Sequence, residues 1–214
     1  MTFNVDTIQQ DLYDLGNNYK TGDVDQLIRK YVKEKRDVSF LRDEILSQQQ
    51  FHRIFFYVSL KQLKNVEERM SFIDSNLLFS DWWHTDQLIR FVSGMPFEKA
   101  YDYAKRYVID EDPFVRRWGY VMFISKLCRD REHLGEILAL MHNDDEYYVQ
   151  MAEAWLLCEL AVFFPEEIAE WLENCDLTYD ITGKAVQKIQ DSYRISEEDK
   201  KVFSNLRSIL KGRQ

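Results

Sequence analysis

Apolar residues recur along most of this chain at the spacing of an α-helix. Val24, Leu27, Ile28 and Tyr31 fall on one helical face, and Phe51, Ile54, Phe55, Val58 and Leu60 follow with slight drift. Leu88, Phe91 and Val92 continue the pattern, as do Val115, Trp118, Val121 and Met122. The segments Ala154 to Val162, Ile168 to Leu172 and Phe203 to Leu210 read the same way. Helix starts are marked by their chemistry. Pro113 follows Asp110-Glu111-Asp112, where a first turn does not miss its N–H, and Pro165-Glu166-Glu167 sets acids against the positive end of the next helix. Ser196-Glu197-Glu198-Asp199 has the form of a capping box with Asp in the usual place of Glu.

A second, longer period lies over the first. "DEDPFVRRWGYV" (Asp110 to Val121) aligns with "DDEYYVQMAEAW" (Asp144 to Trp155) at an offset of 34, pairing Asp110 with Asp144, Glu111 with Asp145, Phe114 with Tyr148 and Val115 with Val149. Each copy is an acidic turn, an aromatic, a valine and then an apolar helix, with intervening helices near Leu134 to Met141 and Ile168 to Leu172. A two-helix unit of this length cannot bury its own apolar face, so such units stack. The expectation is an all-α fold, a curved solenoid of helical repeats, in a single domain over residues 1–214 with no Pro/Gly-rich linker.

Composition narrows the picture. The 214 residues are 45% hydrophobic, enough for a real core, and Gly (7) and Pro (3) are too scarce for an all-β chain that turns every dozen residues. The net charge of −9 argues against non-specific coating of nucleic acid, while 28 Lys and Arg leave room for a local basic strip. Cys128, Cys158 and Cys175 form no CxxC and read as free thiols of a reducing cytoplasm. The acidic N-terminal stretch lacks the apolar core of a signal peptide, and no apolar run is long enough to span a membrane. Four histidines without an HxH or HExxH spacing predict no metal site, and without a Walker, GxSxG, GxGxxG or kinase signature any chemistry would not use a standard catalytic loop.

Candidate chemistry gathers in a few stretches. In "SDWWHTDQL" (Ser80 to Leu88), Trp82 and Asp86 are four apart and share a helical face, as do Trp83 and Gln87. His84 reads as a surface or capping histidine. Arg116 and Arg117 open a helix where the macrodipole disfavours cations, which ordinarily places them in solvent and points weakly to an anionic partner such as phosphate. Trp155 lies in "AEAWLLCELAVFF", apolar nearly all round, so core burial is its default, with Cys158 as filler. Lys184 and Lys188 form an i, i+4 pair whose plainest reading is a solvated face.

Taken in order, these pieces resemble one family, the bacterial HEAT-like repeat DNA glycosylases of the DNA alkylation repair (AlkD-like) group. "SDWWHTDQL" resembles the family's "SWWDTVD", and "PFVRRWGYVMFI" its helix with paired basic residues. "YYVQMAEAWLLCELAVFFPEEIAEWL" (Tyr147 to Leu172) is similar almost position for position to a third family segment, and Lys184-Ala185-Val186-Gln187-Lys188-Ile189 resembles its C-terminal "NKAIxKI". The resemblance implies a HEAT-like solenoid with duplex DNA on its concave face. It also implies excision of positively charged N3- or N7-alkylated purines without metal or cofactor, by a cytoplasmic monomer. It implies Trp82 or Trp83 with Trp155 as aromatic walls, Asp86 as carboxylate and Arg116 or Arg117 as phosphate ligand, with Lys184 and Lys188 on the DNA face.

Two departures bear on this. Direct alignment of the double Trp puts Gln87 in the carboxylate slot, whereas the i, i+4 spacing keeps Asp86. The family's Lys and Arg in the third segment are Met151 and Cys158 here, which weakens phosphate binding. An alternative therefore stands beside the enzyme: a non-catalytic paralogue whose scaffold binds DNA or protein.

Overall fold

Each apolar stretch with helical spacing does fold as a helix. The computed structural model describes residues 3–124 and 126–212, and the regular structure among them is entirely helical. The chain divides into two compact units, Met1–Ser80 and Asp81–Gln214.

The first unit holds α1 (Val5–Asp14), α2 (Thr21–Lys33), α3 (Gln49–Gln62) and α4 (Val66–Asp74). Its centre is α3, where Phe51, Ile54, Phe55, Phe56, Val58 and Leu60 are all buried. Phe55 and Phe56 pack on Phe72 of α4 with ring centroids 5.4 and 6.1 Å apart. Arg53 of α3 is tied to Asp25 of α2 at 2.8 Å, and Tyr31 of α2 donates to Asp11 of α1 at 2.6 Å.

The second unit comprises α5 (Trp82–Asp86), α6 (Ile89–Val92), α7 (Phe97–Tyr107), α8 (Pro113–Val121), α9 (Leu134–Leu138), α10 (Tyr147–Phe163), α11 (Pro165–Asn174), α12 (Tyr179–Asp191) and α13 (Glu197–Leu210). Here α5, α8, α10 and α12 lie side by side in chain order, each against the next. A second layer backs them, with α7 on α8, α11 on α10 and α13 on both α11 and α12. This is the stacking the 34-residue offset predicts. Flanked by α8 and α12 and backed by α11, α10 buries residues on most of its faces, which is why its apolar residues run nearly all round. Gly119 permits the closest approach: a Cβ there would lie 2.9 Å from Val108 Cγ1 and 3.1 Å from the Val108 nitrogen.

The helix starts follow their expected chemistry. Asp112 accepts from the Phe114 N–H at 2.8 Å ahead of Pro113. Ser196 Oγ accepts from the Asp199 N–H at 3.1 Å and donates to the Asp199 carboxylate at 2.6 Å.

The repeat is also stitched by side chains. Arg116, Gln150 and Lys184 occupy equivalent positions, 34 residues apart. Arg116 Nη1 donates to the Asp110 carbonyl at 2.8 Å, and Gln150 Nε2 donates to the matching Asp144 carbonyl at 2.6 Å. Across the repeats, Arg116 holds the Asp144 carboxylate at 2.6 and 3.2 Å, and Lys184 donates to Gln150 Oε1 at 2.9 Å. In the first two copies this position satisfies the carbonyl of a loop residue six positions earlier, and in the third Lys184 reaches the Asp180 carbonyl within α12.

Candidate functional site

Four inner helices of the second unit line one cavity of about 370 Å³. Trp82 and Asp86 reach it from α5, Arg117 from α8, and Lys188 from α12. The longest contribution comes from α10. Its Tyr147, Met151 and Trp155, spaced four apart along one face, stand beside Tyr148.

The carboxylate is held from one side. Arg117 Nη2 donates to Asp86 Oδ1 at 2.8 Å and Nε approaches the same oxygen at 3.2 Å. Arg117 Nε also donates to Thr85 Oγ1 at 3.1 Å, and Nη1 to the Tyr148 carbonyl at 2.8 Å. The Thr85 hydroxyl donates to the Trp82 carbonyl at 2.8 Å. Asp86 Oδ2 has no hydrogen-bond partner among the described residues. One oxygen is therefore fixed, and the other is left to whatever enters the cavity. The Arg117 side chain is only 5% exposed and that of Asp86 19%, so the pair works at low effective dielectric.

Several expected positions differ from what the sequence pattern suggests. Arg117 is buried rather than solvated, because Asp86, Thr85 and the Tyr148 carbonyl together satisfy its guanidinium. Arg116 is bound internally to Asp144 and to the Asp110 and Glu111 carbonyls. Trp155 is half-buried against the cavity instead of core, and the fully buried tryptophan is Trp118. His84 is buried, not a surface residue, and burial lowers its imidazole to about 4, so it packs as a neutral ring on Trp83.

The double Trp splits by function of place. Trp82, 46% exposed, forms a cavity wall. Trp83 turns away from the cavity, donating through Nε1 to Asp81 at 3.1 Å. Of the two acid-slot candidates, Asp86 lines the cavity and Gln87 does not. Lys184 lies beside the cavity rather than in it, with its ammonium 5.8 Å from the Tyr147 ring and bonded to Gln150 and the Asp180 carbonyl. Lys188 is half-buried in the cavity, where burial lowers its ammonium below the ordinary lysine range. Burial pushes the Cys158 thiol up to about 11, so it remains protonated at neutral pH.

Tyr147 and Tyr148 are the site residues that sequence motifs alone pass over. Both are exposed, at 56% and 40%. Their signal is positional: Tyr147, Met151 and Trp155 repeat every four residues on one face of α10, ahead of an otherwise apolar helix. Among the described residues no cluster of three or more His, Cys, Asp or Glu side chains is arranged to hold a metal ion, and no helix is long and apolar enough to cross a membrane.

The arrangement is an open aromatic slot with one oriented carboxylate and one lysine. Flat, cationic ligands suit it, because indole and phenol faces attract positive charge. Compared with known proteins, the chain matches the family described as DNA alkylation repair enzyme over residues 18–191. No curated protein and no solved structure matches it.

Proposed function

Since this chain belongs to the DNA alkylation repair enzyme family, we propose that its cavity binds duplex DNA at an N3- or N7-alkylated purine and hydrolyses the N-glycosidic bond. The observation that carries this reading is Asp86: a carboxylate pinned by Arg117 through one oxygen, open through the other, and flanked by Trp82 and Trp155. An alkylated purine is a cation, and each aromatic face it meets contributes on the order of 0.5–2 kcal/mol. As the glycosidic bond breaks, the base leaves neutral and positive charge moves to the deoxyribose. The Asp86 carboxylate stabilises that oxocarbenium-like sugar and orients the water that adds to C1′. A fixed charge does this without reorganising during the reaction. Holding it fixed is the role of Arg117, and through Nη1 Arg117 also ties the α10 aromatic face to α5.

DNA backbone contacts fall to the cations around this site, Arg116, Arg117, Lys184 and Lys188. Three of them are engaged inside the protein, which leaves Lys188 as the cavity cation without a protein partner among the described residues. The test is release of 7-methylguanine or 3-methyladenine from methylated duplex DNA by stoichiometric protein. Asp86→Asn removes a charge that, at about 4 Å and an effective dielectric near 20, contributes roughly 4 kcal/mol, so the release rate should fall by about three orders of magnitude. Absence of release by the wild-type protein would refute the catalytic reading.

A second reading, DNA binding without excision, is favoured by one specific feature. Met151 and Cys158 stand on the α10 face where the resembling family carries cations, and the chain has a net charge of −9. Binding of the methylated duplex with no base release is its signature.

A further inference from the structure

Lys188 is the one ionisable side chain of the cavity whose situation the excision chemistry leaves unexplained. It rises from α12 into the same 370 Å³ space as Asp86. It is half-buried, yet its Nζ makes no hydrogen bond or salt bridge among the described residues. The groups facing it are Asp86 from α5, Arg117 from α8, Cys158 from α10 and Asp191 from its own helix. Asp86 is already paired with Arg117, and Cys158 carries no charge at neutral pH. Lys184, one turn earlier on the same helix, differs completely: its ammonium is held by Gln150 and the Asp180 carbonyl.

We propose that Lys188 is a nucleophile, condensing with the aldehyde of an abasic deoxyribose to form a Schiff base in this cavity, an inference that rests on the base-excision reading above. Hydrolysis of the glycosidic bond leaves C1′ as a hemiacetal in equilibrium with the open-chain aldehyde. The lone pair of the neutral Lys188 amine attacks C1′, giving a carbinolamine in which the former carbonyl oxygen has gained a proton. That hydroxyl leaves as water after taking up one further proton, and a C=N iminium joins Nζ to C1′. No oxidant or reductant is consumed. A lysine needs its free base for this step, and desolvation beside a guanidinium favours that form. The Asp86 carboxylate, which stabilises a positive C1′ during excision, is equally suited to the positive iminium at the same carbon.

The experiment starts from duplex DNA that already contains one abasic site, so base excision is bypassed. The full chain is incubated with this duplex and sodium borohydride, which reduces the iminium to a stable amine. A covalent protein–DNA adduct is expected, with the modified peptide containing Lys188. Lys188→Arg keeps a cation but its guanidinium stays protonated, so adduct yield should fall by about tenfold or more. Lys188→Gln should fall equally. Binding of the same duplex is followed by mobility shift for each protein. An abasic duplex that binds but gives no adduct, or an adduct mapped to another lysine, overturns the Lys188 role while leaving the excision reading intact. A wild-type protein that binds neither the abasic nor the methylated duplex overturns both.

Discussion

Glu153 offers a test of the fold that does not depend on any function. It sits on α10 with no exposure to solvent, and its Oε2 has no hydrogen-bond partner among the described residues. Its Oε1 accepts from the His142 N–H at 3.0 Å. Burial is the largest influence on its carboxyl and pushes it up, partly offset by the His142 N–H and the Tyr120 hydroxyl, while Asp144 pushes it further up. The result is a rise from 4.5 to about 8. The native state therefore keeps a proton that the unfolded chain loses near 4.5. The stability this contributes is complete below pH 4.5, declines as pH rises, and is gone above about 8. The decline is about 1.4 kcal/mol per pH unit, and on the order of 5 kcal/mol across the window.

Other groups titrate over the same range, so the informative quantity is a difference. Glu153→Gln keeps an acceptor for the His142 N–H and cannot ionise. Urea unfolding, followed by the chain's tryptophan fluorescence, gives the stability of both proteins from pH 5 to 9. Relative to the variant, wild type should lose stability steadily as pH rises, and the variant should be the more stable protein at pH 9. Parallel pH profiles, or a wild type that gains on the variant with rising pH, would refute the burial argument. Tyr120→Phe removes a hydroxyl that holds the Glu153 carboxyl down, so it should alter the slope as well.

Two further outcomes follow from packing and from the split tryptophan pair. Gly119→Ala puts a methyl 2.9 Å from Val108 and should cost about 1–3 kcal/mol, seen as a lower thermal midpoint; an unchanged midpoint would mean α7 and α8 can move apart freely. Trp82→Ala should weaken binding of methylated duplex by roughly three- to thirtyfold in fluorescence anisotropy, the value of one cation–π face. Trp83→Ala should instead lower stability through its lost contacts with Asp81 and His84, and equal losses of affinity from the two would contradict their placement.

How much of this the sequence discloses depends on the range of the interaction concerned. Helix starts at Pro113, Pro165 and Ser196 are local, decided by neighbouring residues, and are readable directly. The stacked repeat is readable because equal packing imposes equal positions, as Phe114 with Tyr148 and Val115 with Val149 show, whereas the bonding shared by Arg116, Gln150 and Lys184 emerges only in the fold. Trp82 and Asp86 share a face by helix geometry alone. Arg117 is the contrary case. Its partners are 31 and 32 residues away in sequence, so nothing near it announces a buried guanidinium, and the helix-start rule points the wrong way. Trp155 misleads for a related reason. An apolar run around it implies burial, but one stripe of α10, carrying Tyr147, Met151 and Trp155, is left uncovered where α5, α8 and α12 part to form the cavity.

On the proposed function, the cavity meets two demands that conflict. A cationic base is drawn by negative charge, whereas the backbone that carries it is drawn by positive charge. An exposed acid would serve the first and repel the second. Pairing Asp86 with a buried Arg117 separates them: the pair is close to neutral at the range of a phosphate, while at contact range the open Oδ2 is still an anionic oxygen. In its protonated form Lys188 adds one positive charge to the cavity, even though the whole chain carries −9. On the proposed function, Met151 and Cys158 in place of the resembling family's cations matter less, because attraction for the backbone would come from α12 rather than from α10. Removing Arg117 while keeping Asp86 would leave that carboxylate countered only by Lys188, cancelling the positive charge on which the proposed attraction for phosphate rests.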